Sequence, residues 1–197
     1  MNVSLYQAAA AMNANARWQE TISENLASAS IPGARSREVS FSAIEAGLVR
    51  DAAFSPAARS LIPVANSSIN QQPGTLQPSA SRLDFALEGS GFFEVQLANG
   101  SHAYTRDGVF HLNAQGQLVT KQGFLVLSDG GPIQMDPNNE GQLAIAPTGE
   151  ISQGDELKGK LRLVEFSDAR QLTVIGGGYF LADNPALQPL ASDSTQV

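Results

Sequence analysis

Residues 83 to 97 read Leu83-Asp84-Phe85-Ala86-Leu87-Glu88-Gly89-Ser90-Gly91-Phe92-Phe93-Glu94-Val95-Gln96-Leu97. On either side of the Gly-Ser-Gly interruption, large apolar residues alternate with small or polar ones. Leu83, Phe85 and Leu87 alternate with Asp84, Ala86 and Glu88, and Phe93, Val95 and Leu97 alternate with Glu94, Gln96 and Ala98. A period of two is the pattern of strands with one face on a core. Downstream, turn signals recur about every ten residues: Asn99-Gly100, Asp107-Gly108, Asn113 to Gly116, Gln122-Gly123, Asp129-Gly130-Gly131, Asn139 to Gly141 and Thr148-Gly149. Short apolar runs lie between them, at Phe124 to Leu127, Leu143 to Ile145 and Leu161 to Phe166. No segment of helical length and period intervenes. The fold class is therefore mainly β: an antiparallel body over residues 81–182, built as a rolled sheet, sandwich or irregular barrel.

Towards the N-terminus the period changes. Ser4 to Ala29 contains neither Gly nor Pro, and Ser4 with Gln7 has the form of a capping box. Leu5, Ala8, Met12, Asn15, Gln19, Ile22, Leu26 and Ala29 are spaced alternately by three and four residues, as in a helix-packing seam. Asn15 and Gln19 are its polar members, a composition that costs stability and sets register. The seam is narrow and rich in Ala, and a helix of this kind buries little on a single domain. We expect a long helix, of order 40 Å at 1.5 Å per residue, made to be covered by another helix. The alternative is an amphipathic helix lying on its own domain. Ile31-Pro32-Gly33 ends it.

Between helix and body, residues 34–80 are punctuated by Pro56, Pro63, Pro73 and Pro78 with Ser, Asn and Gln around them. This reads as an extended linker or arm, with a short helix around Phe41 to Val49. After the body, Pro185 and Pro189 interrupt residues 183–197, which read as a return segment.

Composition narrows the function. The 197 residues include 12 Lys and Arg against 19 Asp and Glu, a net charge of -7. The basic residues are scattered, so no phosphate-binding patch forms and nucleic acid is not an expected partner. There is no Cys, which excludes disulfides, thiolate chemistry and Cys-ligated zinc. No apolar run approaches the roughly 20 residues of a membrane span. The N-terminus lacks the basic and apolar regions of a cleaved signal peptide.

No constellation of catalytic residues emerges. His102 and His111 lack a paired ligand at metal-like spacing. Asp84, Arg106 and Asp107 form a conceivable charged set, but Asp107 precedes Gly108 in a turn, where Asp is favoured conformationally, with Arg106 as its structural partner. Gly176-Gly177-Gly178 lies between strands with no helix behind it to bind an anion. Gly89-Ser90-Gly91 breaks the nucleophile-elbow pattern. No cofactor, metal or small-molecule substrate is expected.

Taken in order, these blocks resemble the flagellar rod and hook protein family. Asn25-Leu26-Ala27 followed by Pro32-Gly33 resembles its N-terminal signature, N-L-A-N-x-x-T-P-G-aromatic-basic. Leu83 to Phe93, containing Gly89, Gly91, Phe92 and Phe93, resembles a second block. Tyr104-Thr105-Arg106-Asp107-Gly108-Val109-Phe110 resembles a third, with Gly116-Gln117-Leu118-Val119 and Leu161 to Phe166 after it. Ser28, Ile31 and Ala34 depart from the signature, at the positions of its second Asn, its Thr and its aromatic residue.

The resemblance implies an axial protein of the bacterial flagellar basal body, exported by the flagellar type III apparatus without a cleaved signal and polymerised helically. Residues 1–33 would be its axial helix, paired in the family with a second helix after the body. That second helix would begin about where Val197 falls, so the chain is expected to be a truncated form or a shortened paralogue. The absence of a large insertion in the body favours a rod protein over a hook protein. Implied partners are further copies and neighbouring rod and hook proteins. The alternative is a secreted β-domain binding module, adhesin-like or carbohydrate-binding, which would carry an aromatic cluster on a solvent face.

Overall fold

The computed structural model describes residues 3–49, 58–70, 72, 74–136, 141–192 and 195–197. The chain divides into two compact units. The first combines residues 1–27 with 36–70, and the second combines 28–35 with 71–197.

In the first unit, helix α1 spans Val3–Ser28. It begins one residue before Ser4, which therefore lies inside the helix rather than capping it. Strands β1 (Arg37–Val49) and β2 (Ala58–Ile69) form a long antiparallel hairpin, with Arg37 opposite Ile69 and Ile44 opposite Ile62. The arm is thus extended, as read. The short helix expected around Phe41 to Val49 is not formed, because those residues are strand. Their β-branched and aromatic side chains at Val39, Phe41 and Ile44 favour a ladder once a partner strand is available. Pro56 and Pro73 lie outside the described residues, as does most of the turn expected at 139–141.

The hairpin covers one side of α1. Ala14 and Thr21 are buried, as are Ala65 and Ile69 of β2. Arg17 and Thr21 line a small cavity with Val39 and Ala65. Gln7, Ala10, Ala11, Asn25 and Ser28 are half-covered along the same stripe.

Among its described residues the second unit holds thirteen further strands: β3 (Phe92–Gln96), β4 (His102–Thr105), β5 (Phe110–Leu112), β6 (Leu118–Thr120), β7 (Leu125–Ser128), β8 (Gly131–Pro132), β9 (Leu143–Ile145), β10 (Glu150–Gln153), β11 (Glu156–Lys160), β12 (Leu163–Glu165), β13 (Thr173–Gly176), β14 (Tyr179–Leu181) and β15 (Leu190–Ala191). All pair antiparallel. The main sheet runs β13-β14-β4-β3-β7-β6-β5, with β12, β15 and β8 joined to its side, and a smaller sheet runs β11-β10-β9. Neither sheet closes into a barrel.

Phe93, Val95, Phe110, Leu118, Val126, Ile133 and Ile151 are completely inaccessible and form the core. Phe93 meets Phe110 edge-on at 5.2 Å between ring centres, a favoured aromatic geometry. The segment from Leu83 to Leu87 keeps the expected alternation: Leu87 is buried, and Leu83 and Phe85 pack on the core. It is not a strand. It carries isolated bridges only, Asp84 to Val109 and Glu88 to Gln196. Glu94, an outward position by period, is buried as well. The second face of β3 is covered too, with Phe92 packed edge-on against Phe166 and Phe180.

Candidate functional site

The signature residues of the second unit converge on Arg106. Its guanidinium donates from Nη1 to the carbonyl of Gly91 at 2.6 Å, and from Nη2 to Gly89 at 2.8 Å and Leu87 at 3.2 Å. Its carbon Cζ lies 5.7 Å from the centre of the Phe92 ring, within cation–π range. One planar fork thereby holds a whole loop by its backbone. Burial lowers the Arg106 pKa to about 10, and the nearby Arg35 contributes.

The neighbours of Arg106 have separate tasks. Thr105 donates its hydroxyl to the carbonyl of Gly178 and accepts the N–H of Asp107. Asp107 accepts the N–H of Val109, the side-chain turn expected for Asp before Gly. Arg106 is not its partner. Gly108 is required by crowding, since a β-carbon there would lie 1.9 Å from the carbonyl oxygen of Phe85. The carbonyl of Gly108 accepts from the N–H of Phe85, which stitches the third signature block to the second.

The Gly89-Ser90-Gly91 loop is closed from its other side by Thr195. Thr195 is buried, and its hydroxyl oxygen accepts the N–H of Gly91 at 3.0 Å while donating to Glu165 at 2.8 Å. A β-carbon on Gly91 would meet that oxygen at 2.6 Å. Both glycines are thus spacers that admit Thr195.

The helix-ending turn joins the same cluster. Gly33 has φ +68°, and a β-carbon on it would lie 2.2 Å from the backbone oxygen of Arg106. Ile31 packs beside Gly178. Pro32 and Gly33 themselves face solvent.

In the first unit, Asn25 clamps the start of β1. Its Nδ2 donates to the carbonyl of Arg37, and its Oδ1 accepts the Arg37 N–H, each at 2.8 Å. Glu24 adds an ion pair to Arg37 at 2.8 Å.

A family model described as "Flagellar hook protein FlgE/F/G D1 domain" matches residues 86–153, which contain most of this cluster. The flagellar basal-body rod protein FlgF of Mesorhizobium japonicum is 32% identical over 178 residues, covering 89% of this chain and 70% of its own. That of Rhizobium meliloti is 30% identical over 198 residues, covering 100% of this chain and 76% of its own. The chain belongs to the flagellar rod and hook protein family. The rod protein FlgG of Buchnera aphidicola from Acyrthosiphon pisum is similar too, 32% identical over 186 residues, covering 86% of this chain and 70% of its own.

In this rod-family chain most of the seam residues are exposed. Leu5, Met12 and Leu26 are 67%, 73% and 76% exposed, and Ile22 is 47% exposed. Ala8, Asn15 and Gln19 are exposed also, and Ala29 falls just past the end of α1. Leu26 and Ala27 of the signature face solvent, so Asn25 alone of that triplet is used within the first unit. The stripe covered by the hairpin, through Ala14 and Thr21, is out of phase with the seam. At about 100° per residue the two stripes point roughly 120° apart around the helix, with Ala14 beside Asn15 and Thr21 beside Ile22.

Arg35 and Thr195 were not singled out from the sequence, and Glu165 and Gly178 stood there only inside the Leu161 to Phe166 block and the Gly176 to Gly178 run. Thr195 carries no local signal, because its partner Gly91 is 104 residues away. Arg35 occupies the basic position of the signature, which was legible as a pattern although its task was not. His102 approaches Glu94, which also pairs with Arg162 at 2.9 Å. His111 Nδ1 lies against the carbonyl of Phe110, and its ring is close enough to Asp107 to act on that carboxyl. Among the described residues no group of His, Asp and Glu has metal-ligand geometry, and no helix is long and apolar enough to cross a membrane.

Proposed function

We infer that this chain is a structural subunit of the bacterial flagellar basal-body rod, assembling with copies of itself and with neighbouring rod and hook proteins. The similarity to proteins named flagellar basal-body rod protein FlgF and FlgG supports the rod reading. The observation that carries assembly is the two-sided helix. Its small and polar stripe is covered by the hairpin, while Leu5, Met12, Ile22 and Leu26 on another face stay exposed. An uncovered apolar stripe of this length is a protein-contact surface. In this reading residues 1–33 serve as the axial helix, 34–80 as the arm, 81–182 as the outer body and 183–197 as the segment leading back towards the axis. Leu5, Ala8, Met12, Asn15, Gln19, Ile22, Leu26 and Ala29 are the packing seam. A head-to-tail contact that does not close turns such a subunit into a filament.

Catalysis has no part in this function. The guanidinium of Arg106 is directed at backbone carbonyls, which supports a part in holding the fold. A sugar-binding module receives no support either, since the aromatic rings of the second unit are buried or half-buried. The test is to purify flagellar basal bodies from cells producing a tagged copy and probe the rod by immunogold electron microscopy. Label along the rod is expected, and intact rods free of label would sink the reading.

A further inference from the structure

Among the described residues no carboxylate pairs with the buried guanidinium of Arg106. The residue is 9% exposed, and its guanidinium hydrogen bonds go to the backbone carbonyls of Leu87, Gly89 and Gly91, which are dipoles without net charge. A second guanidinium lies near enough to act on it, that of Arg35. Arg35 is half-buried, desolvated, and donates to the carbonyl of Gln72, again a neutral acceptor. Among the described residues neither arginine forms an ion pair, whereas Arg37, Arg162, Lys158 and Arg170 all do.

Two like charges in a partly desolvated place destabilise each other unless an anion joins them. The two arginines differ in access. Arg106 is sealed by the loop it holds. Arg35 follows a turn whose Pro32 and Gly33 face solvent, and it retains accessible surface. An arriving carboxylate would form a charge-assisted hydrogen bond there and relieve both cations together. The chain itself is rich in the complementary group, with 19 acidic residues against 12 basic. Asp129, Asp155 and Asp183 are exposed and outside the ion pairs described.

We propose that Arg35 is an intersubunit docking point that receives an Asp or Glu carboxylate from a second copy of this chain. The proposal deepens the rod-subunit reading and rests on it. It locates one polar contact in the helix-ending turn, separate from the apolar stripe of α1. An ion pair of this kind sets register and partner orientation more than overall affinity.

Sedimentation velocity on the whole chain tests it, at about 0.02 M and about 0.5 M NaCl, where screening differs strongly. Wild type, Arg35→Gln and Arg35→Lys are compared after circular dichroism and thermal melts confirm equal folding. Wild type should self-associate more tightly at low salt. Arg35→Gln should be weaker by about tenfold at low salt and nearly salt-insensitive, with Arg35→Lys in between. Equal association of Arg35→Gln and wild type overturns the proposal, and so does a wild type that fails to associate. A third arm titrates inorganic phosphate into dilute monomer. Saturable binding lost in Arg35→Gln, with self-association unaffected, makes this a free-anion site and also overturns it. Basal-body incorporation separates the two readings. Equal incorporation of wild type and Arg35→Gln defeats the Arg35 contact alone, and exclusion of wild type defeats the rod reading itself.

Discussion

Gly33 lies against Arg106 so closely that one added carbon would sit 2.2 Å from the Arg106 backbone oxygen. The two residues belong to different signature blocks, one ending the helix and one inside the β-body. Their contact explains why the turn after the helix carries a glycine. Its φ of +68° is disfavoured for other residues, and the space for a side chain is already taken by backbone. Gly33→Ala should lower stability by roughly 2–4 kcal/mol, from left-handed strain and a clash with main chain that cannot swing away. Urea unfolding measures this, and an unchanged midpoint would mean that the turn shifts freely.

Arg106→Gln should cost about 3–5 kcal/mol, because three carbonyls lose charge-assisted donors in a buried place. Arg106→Lys should recover less than half, since an ammonium cannot span Gly91, Gly89 and Leu87 as a planar fork does. Chemical denaturation of both variants checks the ordering. Full rescue by lysine would show that charge alone matters.

Thr195→Val keeps the shape of the side chain and removes its hydroxyl. Gly91 N–H then lacks its acceptor and Glu165 loses a donor, for a loss of about 1–3 kcal/mol. Thr195→Ser retains the oxygen and should stay within about 1 kcal/mol of wild type. Amide hydrogen exchange at Gly91 should rise selectively in the valine variant. Unaltered exchange would contradict the latch.

The Asp107 carboxyl is pushed upward by burial, opposed in part by the Val109 N–H and Lys121. The folded protein therefore binds this proton more tightly than the unfolded chain. Its contribution to stability is greatest in acid and falls as pH rises from the ordinary value of about 3.9 through the folded pKa. Asp107→Asn keeps an oxygen for Val109 and should flatten that part of the stability–pH curve. The same slope in the variant would assign the pH dependence to other groups.

The two sides of α1 should respond oppositely to charge. Leu26→Lys changes a residue 76% exposed and should leave the melting temperature within the range of ordinary surface changes, about 0.5 kcal/mol, while abolishing incorporation into rods. Ala14→Asp buries a carboxylate where the side chain is 5% exposed, and should destabilise the first unit by several-fold more, roughly 2–4 kcal/mol. Equal loss of stability from both changes would mean that both sides are packed within the monomer.

Much of this was legible along the chain. A period of two from Leu83 onward marked the β-body, and the recurring Gly-containing pairs marked its turns, because pleat and left-handed turn geometry act on neighbouring residues. The three-four spacing from Leu5 to Leu26 marked a helix and a stripe for packing, but not which stripe the hairpin would take. That stripe runs through Ala14 and Thr21, whose small size gives little apolar signal. The segment around Phe41 to Val49 read as a short helix because a segment taken alone does not show the ladder that β2 offers it. Leu83 to Leu87 showed the converse: correct burial, with no ladder.

Elements that depend on one residue and its near neighbours were therefore written in the chain: the helix, its proline-glycine stop, the strands and their turns. The meeting of Gly33 with Arg106, and of Gly91 with Thr195, appeared only once the chain had folded back on itself. Such contacts join positions whose separation erases any periodic or compositional trace, and their specificity comes from steric exclusion and hydrogen-bond direction in three dimensions.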